Sequence, residues 1–297
     1  MLIETFKVFC DLVETKSFSK AAEKNFISQS AVSQQVRALE TKFARKLIDR
    51  GRGAAEPTEA GRAFYDRAKL ILDRFNRLEE EIMERPNTIS GNVRVATIIS
   101  VGRHELPPYV KRFITEHPRA TIEIDYRQAD QVYDLILSGA ADVGIVAYPV
   151  RHPELEVVPF RDDQLVFVCS PAHRRARTRR INLRQLEHER LIGFEWGTPT
   201  RKAIDRALRE SGVAPRYVME FADVEVIKRM VEVDAGVAIL PDFSVAQELR
   251  NKTLRALPFA GKKYFRPIAL IYKRTGERSA AARTFIEILA GDSASPG

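Results

Sequence analysis

Leu2, Phe6, Phe9 and Val13 recur at spacings of four, three and four, which predicts an amphipathic helix over the first fourteen residues. A short second helix follows from Ser19 to Phe26, with Ala22 and Phe26 as its apolar set, and Ile27–Ser28 interrupts it. A third helix, from about Ser30 to Glu40, puts Val32, Val36 and Leu39 on one inward face. Small Ala21 and Ala22 let these two helices cross closely, and the helical pattern continues through Phe43 and Leu47. Gly51, Gly53 and Pro57 then predict two short strands with a glycine-rich tip. Thr58 reads as an N-cap with Glu59 in the first turn of a long helix. Phe64, Ala68, Ile71, Phe75, Leu78 and Ile82 form a heptad seam along it.

The segment RPNTISGN, Arg85 to Asn92, breaks the helical pattern, and beyond it strands alternate with helices. Val93–Ile99, Thr121–Tyr126, Val143–Ala147, Gln164–Cys169, Leu191–Phe194, Tyr217–Phe221, Val237–Leu240 and Ile268–Tyr272 read as strands. Their alternation predicts βαβ units and a mostly parallel sheet in two small α/β halves. Asp162–Asp163 reads as a turn.

The polar positions carry the first chemical signal. Gln29, Ser30, Ser33, Gln34 and Arg37 lie opposite the apolar face of the third helix and offer amide, hydroxyl and guanidinium groups without a carboxylate. Such groups reach phosphates and base edges in a major groove, although a plain helical hairpin with a solvated face has the same pattern. Arg50 and Arg52 sit where a wing tip enters a minor groove, or where a basic loop is merely solvated. The narrow stripe through Phe64, Ile71, Phe75, Leu78 and Ile82, on an otherwise charged helix, fits a dimer seam better than packing on its own domain.

Composition adds less. The 297 residues suffice for two or three domains, and the formal net charge of +8 favours a polyanionic partner only weakly. Cys10 and Cys169 lie far apart in apolar runs and read as buried hydrophobes rather than redox sensors. No signal peptide or membrane-spanning run is apparent, so a cytoplasmic location without membrane contact is expected.

The order helix, SFSKAAEKNFISQSAVSQQVRALE, RGRGAAEPTEAG and long helix resembles the LysR-type transcriptional regulators. The resemblance rests on Ser17–Phe18–Ser19, Ala21–Ala22, Ser28 to Gln35, Leu39–Glu40 and Thr58 to Gly61, and it adds Ser28 to the DNA-binding candidates. Ala44 stands where the family usually has glycine, Ile48 where it has Phe, and Pro57 where it has Leu. The resemblance implies an α+β multidomain chain. A winged helix-turn-helix (1–58) and a linker helix that dimerises (59–86) would precede a hinge (87–92) and an effector-binding α/β domain (93–297). That domain would be of periplasmic-binding-protein type, with subdomain I at 93–160 and 268–297 and subdomain II at 161–267. It further implies a dimer of dimers on double-stranded DNA, at an interrupted palindrome near a promoter. A small-molecule co-inducer, no other cofactor, and contact with RNA polymerase complete the expectation.

Ligands of open α/β sheets bind beyond the carboxyl ends of strands. There the sequence places Thr97, Ser100, Gln128, Tyr148, Thr198, Thr200 and Arg201. Hydroxyls at helix starts suit an anion, while each residue alone also reads as a turn or cap. His104 reads as a satisfied helix-surface histidine, and Arg174, Arg175, Arg177, Arg179 and Arg180 as a solvated run. An enzyme is disfavoured: G-x-S-x-G, G-x-x-x-x-G-K, G-x-G-x-x-G, C-x-x-C and metal-spaced histidines are all missing. A nucleoid-type DNA packager would not need so large an α/β module.

Overall fold

Val8, Phe9 and Leu12 face inward from α1 (Ile3–Thr15) onto Ala21, Ala22, Val32, Val36 and Leu39. A computed structural model describes residues 3–49, 55–83, 89–276 and 278–291 and divides the chain into two units, Met1–Pro86 and Asn87–Gly297. In the first unit Ser17 caps α2 (Phe18–Lys24) and Ser28 caps α3 (Gln29–Phe43), each hydroxyl accepting a first-turn N–H. Phe26 does not extend the apolar face of α2. It sits beyond the helix with φ 54° and 96% of its surface exposed, and the half-buried Ile27 packs in its place.

The helical pattern also stops earlier than expected. Ala44 takes the left-handed conformation (φ 49°) and ends α3, so Leu47 leads into β1 (Ile48–Asp49) instead of continuing the helix. The inward-turned Glu40 makes this reversal possible, because its Oε1 accepts the N–H groups of Leu47 and Ile48 at 2.9 and 3.3 Å. β1 pairs antiparallel with β2 (Glu56–Pro57), which tolerates Pro57 at its end.

Thr58 then starts α4 (Glu59–Met83): its hydroxyl accepts the Gly61 N–H at 3.0 Å and donates to Lys46 O at 2.7 Å. A Cβ on Gly61 would lie 2.0 Å from Leu47 O, so only glycine allows this close approach. The first turns of α4 belong to the unit's own core. Phe64 meets Phe6, Phe9 and Phe43 at ring separations of 5.4, 4.9 and 5.4 Å, and Ala68 is buried. Farther along, Ile71, Leu78 and Ile82 are exposed and Phe75 is half-buried.

The second unit opens with β3 (Ser90–Thr97), α5 (Ile99–His104), α6 (Leu106–Glu116), β4 (Arg119–Tyr126), α7 (Ala129–Ser138) and β5 (Val143–Ala147). β6 (Leu155–Cys169) leaves this lobe for a second one, built from β7 (Arg190–Phe194), α8 (Pro199–Glu210), β8 (Arg216–Phe221), α9 (Val224–Glu232), β9 (Ala238–Pro241), α10 (Ala246–Asn251) and β10 (Arg255–Leu257). β11 (Tyr264–Lys273) returns, and α11 (Ala280–Gly291) covers the first lobe. Each lobe has its own apolar core, around Phe113 and Phe285 in one and around Phe167 and Leu240 in the other.

The main sheet runs β10-β6-β11-β5-β3-β4, with β9 also on β6. β3 is parallel to β4 and β5, and β7 to β8, but β11 is antiparallel to both β5 and β6, as are β9 and β10 to β6. The sheet is therefore mixed, because the two strands that cross between the lobes run in opposite directions. Asp162–Asp163 is not a turn: it lies inside β6, where Asp163 stands opposite Arg266 of β11, and the register shifts two residues on, between Ile268 and Ala269.

Candidate functional site

Helix α3 presents Gln29, Ser30, Gln34 and Arg37 to solvent, with Ser33 half-buried among them. Gln29 is held by the Ser19 hydroxyl at 3.4 Å, while Ser28 and Ser30 oxygens lie 2.8 Å apart at the helix start. Because Glu40 points inward, the exposed face of α3 carries no carboxylate. Behind it, Asp11 is buried among Lys7, Lys24 and Asn25, tying α1 to α2. Burial disfavours its charge, but these donors outweigh that and hold the carboxyl below its usual range. Glu14 similarly receives Lys69 at 2.7 Å and Tyr65 at 3.0 Å from α4, anchoring the base of that helix. Arg50 and Arg52 of the expected wing tip lie outside the described residues.

In the second unit a cavity of about 470 Å³ lies between the two lobes. The first turns of α5 and α7 reach it from one lobe, through Ile98–Ser100 and Gln128–Asp130, and that of α8 from the other, through Thr198–Thr200. Helix starts expose N–H groups and the positive end of the dipole. Phe194 and Trp196 supply aromatic surface. Arg127, Lys202 and Arg266 bring positive charge, against Asp130 and Glu195.

Two hydroxyls are poised for an acceptor. Ser100 Oγ receives Arg266 Nη1 at 2.9 Å, which leaves its own proton to donate. Thr200 is 6% exposed, and its hydroxyl has no partner among the described residues. Arg266 itself is 1% exposed. Its Nε and Nη2 both reach Asp163 Oδ2, at 3.1 and 2.6 Å, and Glu105 Oε1 lies 3.6 Å away.

Residues 3–62 match the pattern of the bacterial regulatory helix-turn-helix proteins of the lysR family, and residues 86–293 match the LysR substrate binding domain. The chain belongs to the LysR family. It is thus a DNA-binding transcription regulator with an effector-binding domain, and not an enzyme. Among its relatives are the HTH-type transcriptional activator CmpR of Synechocystis sp., 29% identical over 97% of this chain and 94% of that protein, and the RuBisCO operon transcriptional regulator of Allochromatium vinosum, 28% identical over 98% and 96%. The fold is that of full-length CbnR bound to its target DNA: TM-score 0.79, 23% identity, 99% of this chain and 100% of that one. The effector-binding domain of QuiR, solved with shikimate, covers 69% of this chain and 97% of its own at TM-score 0.62 and 22% identity.

In this LysR regulator the cavity gathers Ser100, Gln128, Thr198 and Thr200 and leaves out the other three expected contacts. Thr97 is wholly buried and hydrogen-bonds Ile98 O at 3.3 Å; its methyl packs under Gly102. Tyr148, in the left-handed region at φ 52°, turns to Phe265 O and a separate apolar hollow of about 110 Å³, where burial pushes its phenol up to about 12. Arg201 is engaged elsewhere: it binds Phe194 O at 2.8 Å, Asp205 and Glu220 at 3.0 Å, and stacks 3.3 Å from the Tyr217 ring centre. Thr198 lines the cavity but also caps α8 through Arg201 N–H.

The other doubtful groups are accounted for too. His104 faces Glu225 at 2.8 Å; burial, then the Lys228 charge, lower its pKa below the usual imidazole value. Arg174 and Arg175 bind Glu189 at 2.9 and 2.5 Å, whereas Arg177, Arg179 and Arg180 are exposed. Burial pushes the Cys10 and Cys169 thiols up to about 12 and 11, so neither is a ready thiolate. Among the described residues no helix is long and apolar enough to cross a membrane, and no group of three metal-ligating side chains assembles.

The sequence reading missed Arg266, Trp196 and Lys202. Trp196, the single tryptophan, stands beside Gly197 just before the α8 cap, and Lys202 follows Thr200 by two, so both were findable from their neighbours. Arg266 gives no such signal, because its partner Asp163 lies 103 residues earlier.

Proposed function

We propose that this regulator reads an operator through Gln29, Ser30, Ser33, Gln34 and Arg37 of α3 and that a small anion in the inter-lobe cavity sets the outcome. The observation that carries the reading is Thr200, a cavity-lining residue at the start of α8 whose hydroxyl has no partner among the described residues, in a cavity that Ser100 also lines and that helix starts surround. A carboxylate or phosphate would satisfy both hydroxyls. Ser28 is best assigned as the cap that positions this face. The exposed Ile71, Leu78 and Ile82, with Phe75, form the seam for a second copy, while Phe64 stays inside its own unit. Two reading heads on a two-fold axis then meet two half-sites of an interrupted palindrome.

The test is Arg37→Ala on operator and random duplexes. A bidentate base contact predicts a loss of roughly 1–3 kcal/mol on the operator and a smaller one on random DNA. Equal losses on both would reduce Arg37 to a phosphate contact and sink the base-reading role.

A further inference from the structure

Behind the cavity lies a cluster that the reading above leaves unused. Glu105, at the junction of α5 and α6, and Asp163, in the middle of β6, both have fully buried side chains. Two cations face them. Arg266 comes from β11 and reaches the cavity through Ser100; Arg161, 42% exposed, lies 3.5 Å from Glu105 and 3.1 Å from Asp163. Farther out, Asp242 faces Arg161 and Asp163, Tyr148 faces Arg266 and Asp163, and the neighbouring His104 is turned away onto Glu225.

With Glu105 ionised, neither of its oxygens receives a hydrogen bond among the described residues, and Asp163 Oδ1 lacks one there as well. That is a costly arrangement for buried carboxylates. A proton on Glu105 removes one charge and provides an O–H for Asp163. Burial first, and the Asp163 charge second, push Glu105 up to about 8, against the opposing pull of Arg266 and Arg161.

We infer that the cavity takes its anion together with a proton, which is held on Glu105 and leaves the charge of Arg266 uncompensated toward Ser100. This inference rests on the anion reading of the cavity. The charge count is simple. With Glu105 protonated, two guanidiniums face one carboxylate, and the excess positive charge meets the ligand at Ser100. With Glu105 ionised, the two guanidiniums are matched by the two carboxylates of Glu105 and Asp163, and an anion meets Arg127, Lys202, the hydroxyls and the helix starts without the excess charge of the cluster. Anion binding therefore draws a proton onto Glu105, and raising the pH expels the anion. Asp163 and Arg266 stand opposite one another on the two strands that join the lobes, so the same event alters the contacts at the crossing.

Sulfate is the probe, because it stays a dianion across this pH range and any pH dependence then belongs to the protein. Trp196 is the only tryptophan and lines the cavity, so its fluorescence reports local binding in the full chain. Sulfate affinity should hold steady below the Glu105 midpoint and fall about tenfold per pH unit above it. In Glu105→Gln that pH dependence should vanish. Calorimetry of the wild-type chain in two buffers of different ionisation enthalpy should show proton uptake near pH 8, a measurement that does not depend on the variant folding. No Trp196 response to sulfate at pH 6.5 would overturn the anion reading of the cavity itself. A response independent of pH, or a pH dependence that survives in Glu105→Gln with no proton uptake, would leave the cavity standing and overturn the proton linkage.

Discussion

Glu40 and Glu105 are both glutamates held out of solvent, one in each unit, and their surroundings treat them in opposite ways. Glu40 receives two backbone N–H groups at the point where α3 gives way to β1, so its carboxylate replaces hydrogen bonds that the reversing chain cannot make for itself. Glu105 receives none among the described residues and faces a second carboxylate. The reading unit uses its buried charge as a fixed joint. The sensing unit gives its buried carboxyl no backbone donor, so the group can gain or lose its proton with a ligand or with pH.

Breaking the joint has the largest expected effect. Glu40→Ala leaves the Leu47 and Ile48 amides buried without acceptors, which should cost about 2–3 kcal/mol in chemical denaturation. Glu40→Gln keeps an acceptor oxygen and should cost much less; equal losses would show that packing rather than hydrogen bonding matters there. Glu105→Gln should act in the other direction. The Glu105 carboxyl is raised when folded, so its contribution to stability is fully present below about pH 4.5 and declines as pH rises toward 8. Glutamine does not titrate. The variant should match wild type in acid and exceed it by a margin that grows as pH rises toward 8, measured as the difference between two pH–stability curves. A constant offset at every pH would place the effect in packing. The smallest change is expected from Thr200→Val. Removing a hydroxyl that has no partner among the described residues should leave stability within about 0.5 kcal/mol of wild type, while the sulfate response weakens. A clear destabilisation would mean that the hydroxyl already serves the fold.

Much of the reading unit could be read from periodicity alone. Val32, Val36 and Leu39 fixed which side of α3 faces solvent, and the stripe on α4 located Phe64 through Ile82. Periodicity could not say where that stripe changes role, because the division depends on how far Phe6, Phe9 and Phe43 reach along α4. Nor could it place Leu47 outside the helix, since the stop lies in the backbone of Ala44. In the sensing unit the strand ends led to Ser100, Gln128, Thr198 and Thr200. The same rule misplaced Arg201, whose guanidinium is drawn inward by Tyr217, Asp205 and Glu220 from elements the sequence does not show as neighbours. Asp162–Asp163 read as a turn because acidic pairs interrupt strands; only the pairing of β6 with β11 makes an acid at that point tenable.

The position of β11 bears on how the protein is made. In the sheet it lies between β6 and β5, yet it is the last strand in the sequence, and α11, which covers the first lobe, follows it. During synthesis the three-helix reader can close on itself long before that middle strand leaves the ribosome. The nascent chain thus passes through a stage at which it carries a finished DNA reader and an unfinished sensor. A chain cut short before Tyr264 would be held at that stage, with recognition intact and nothing to govern it.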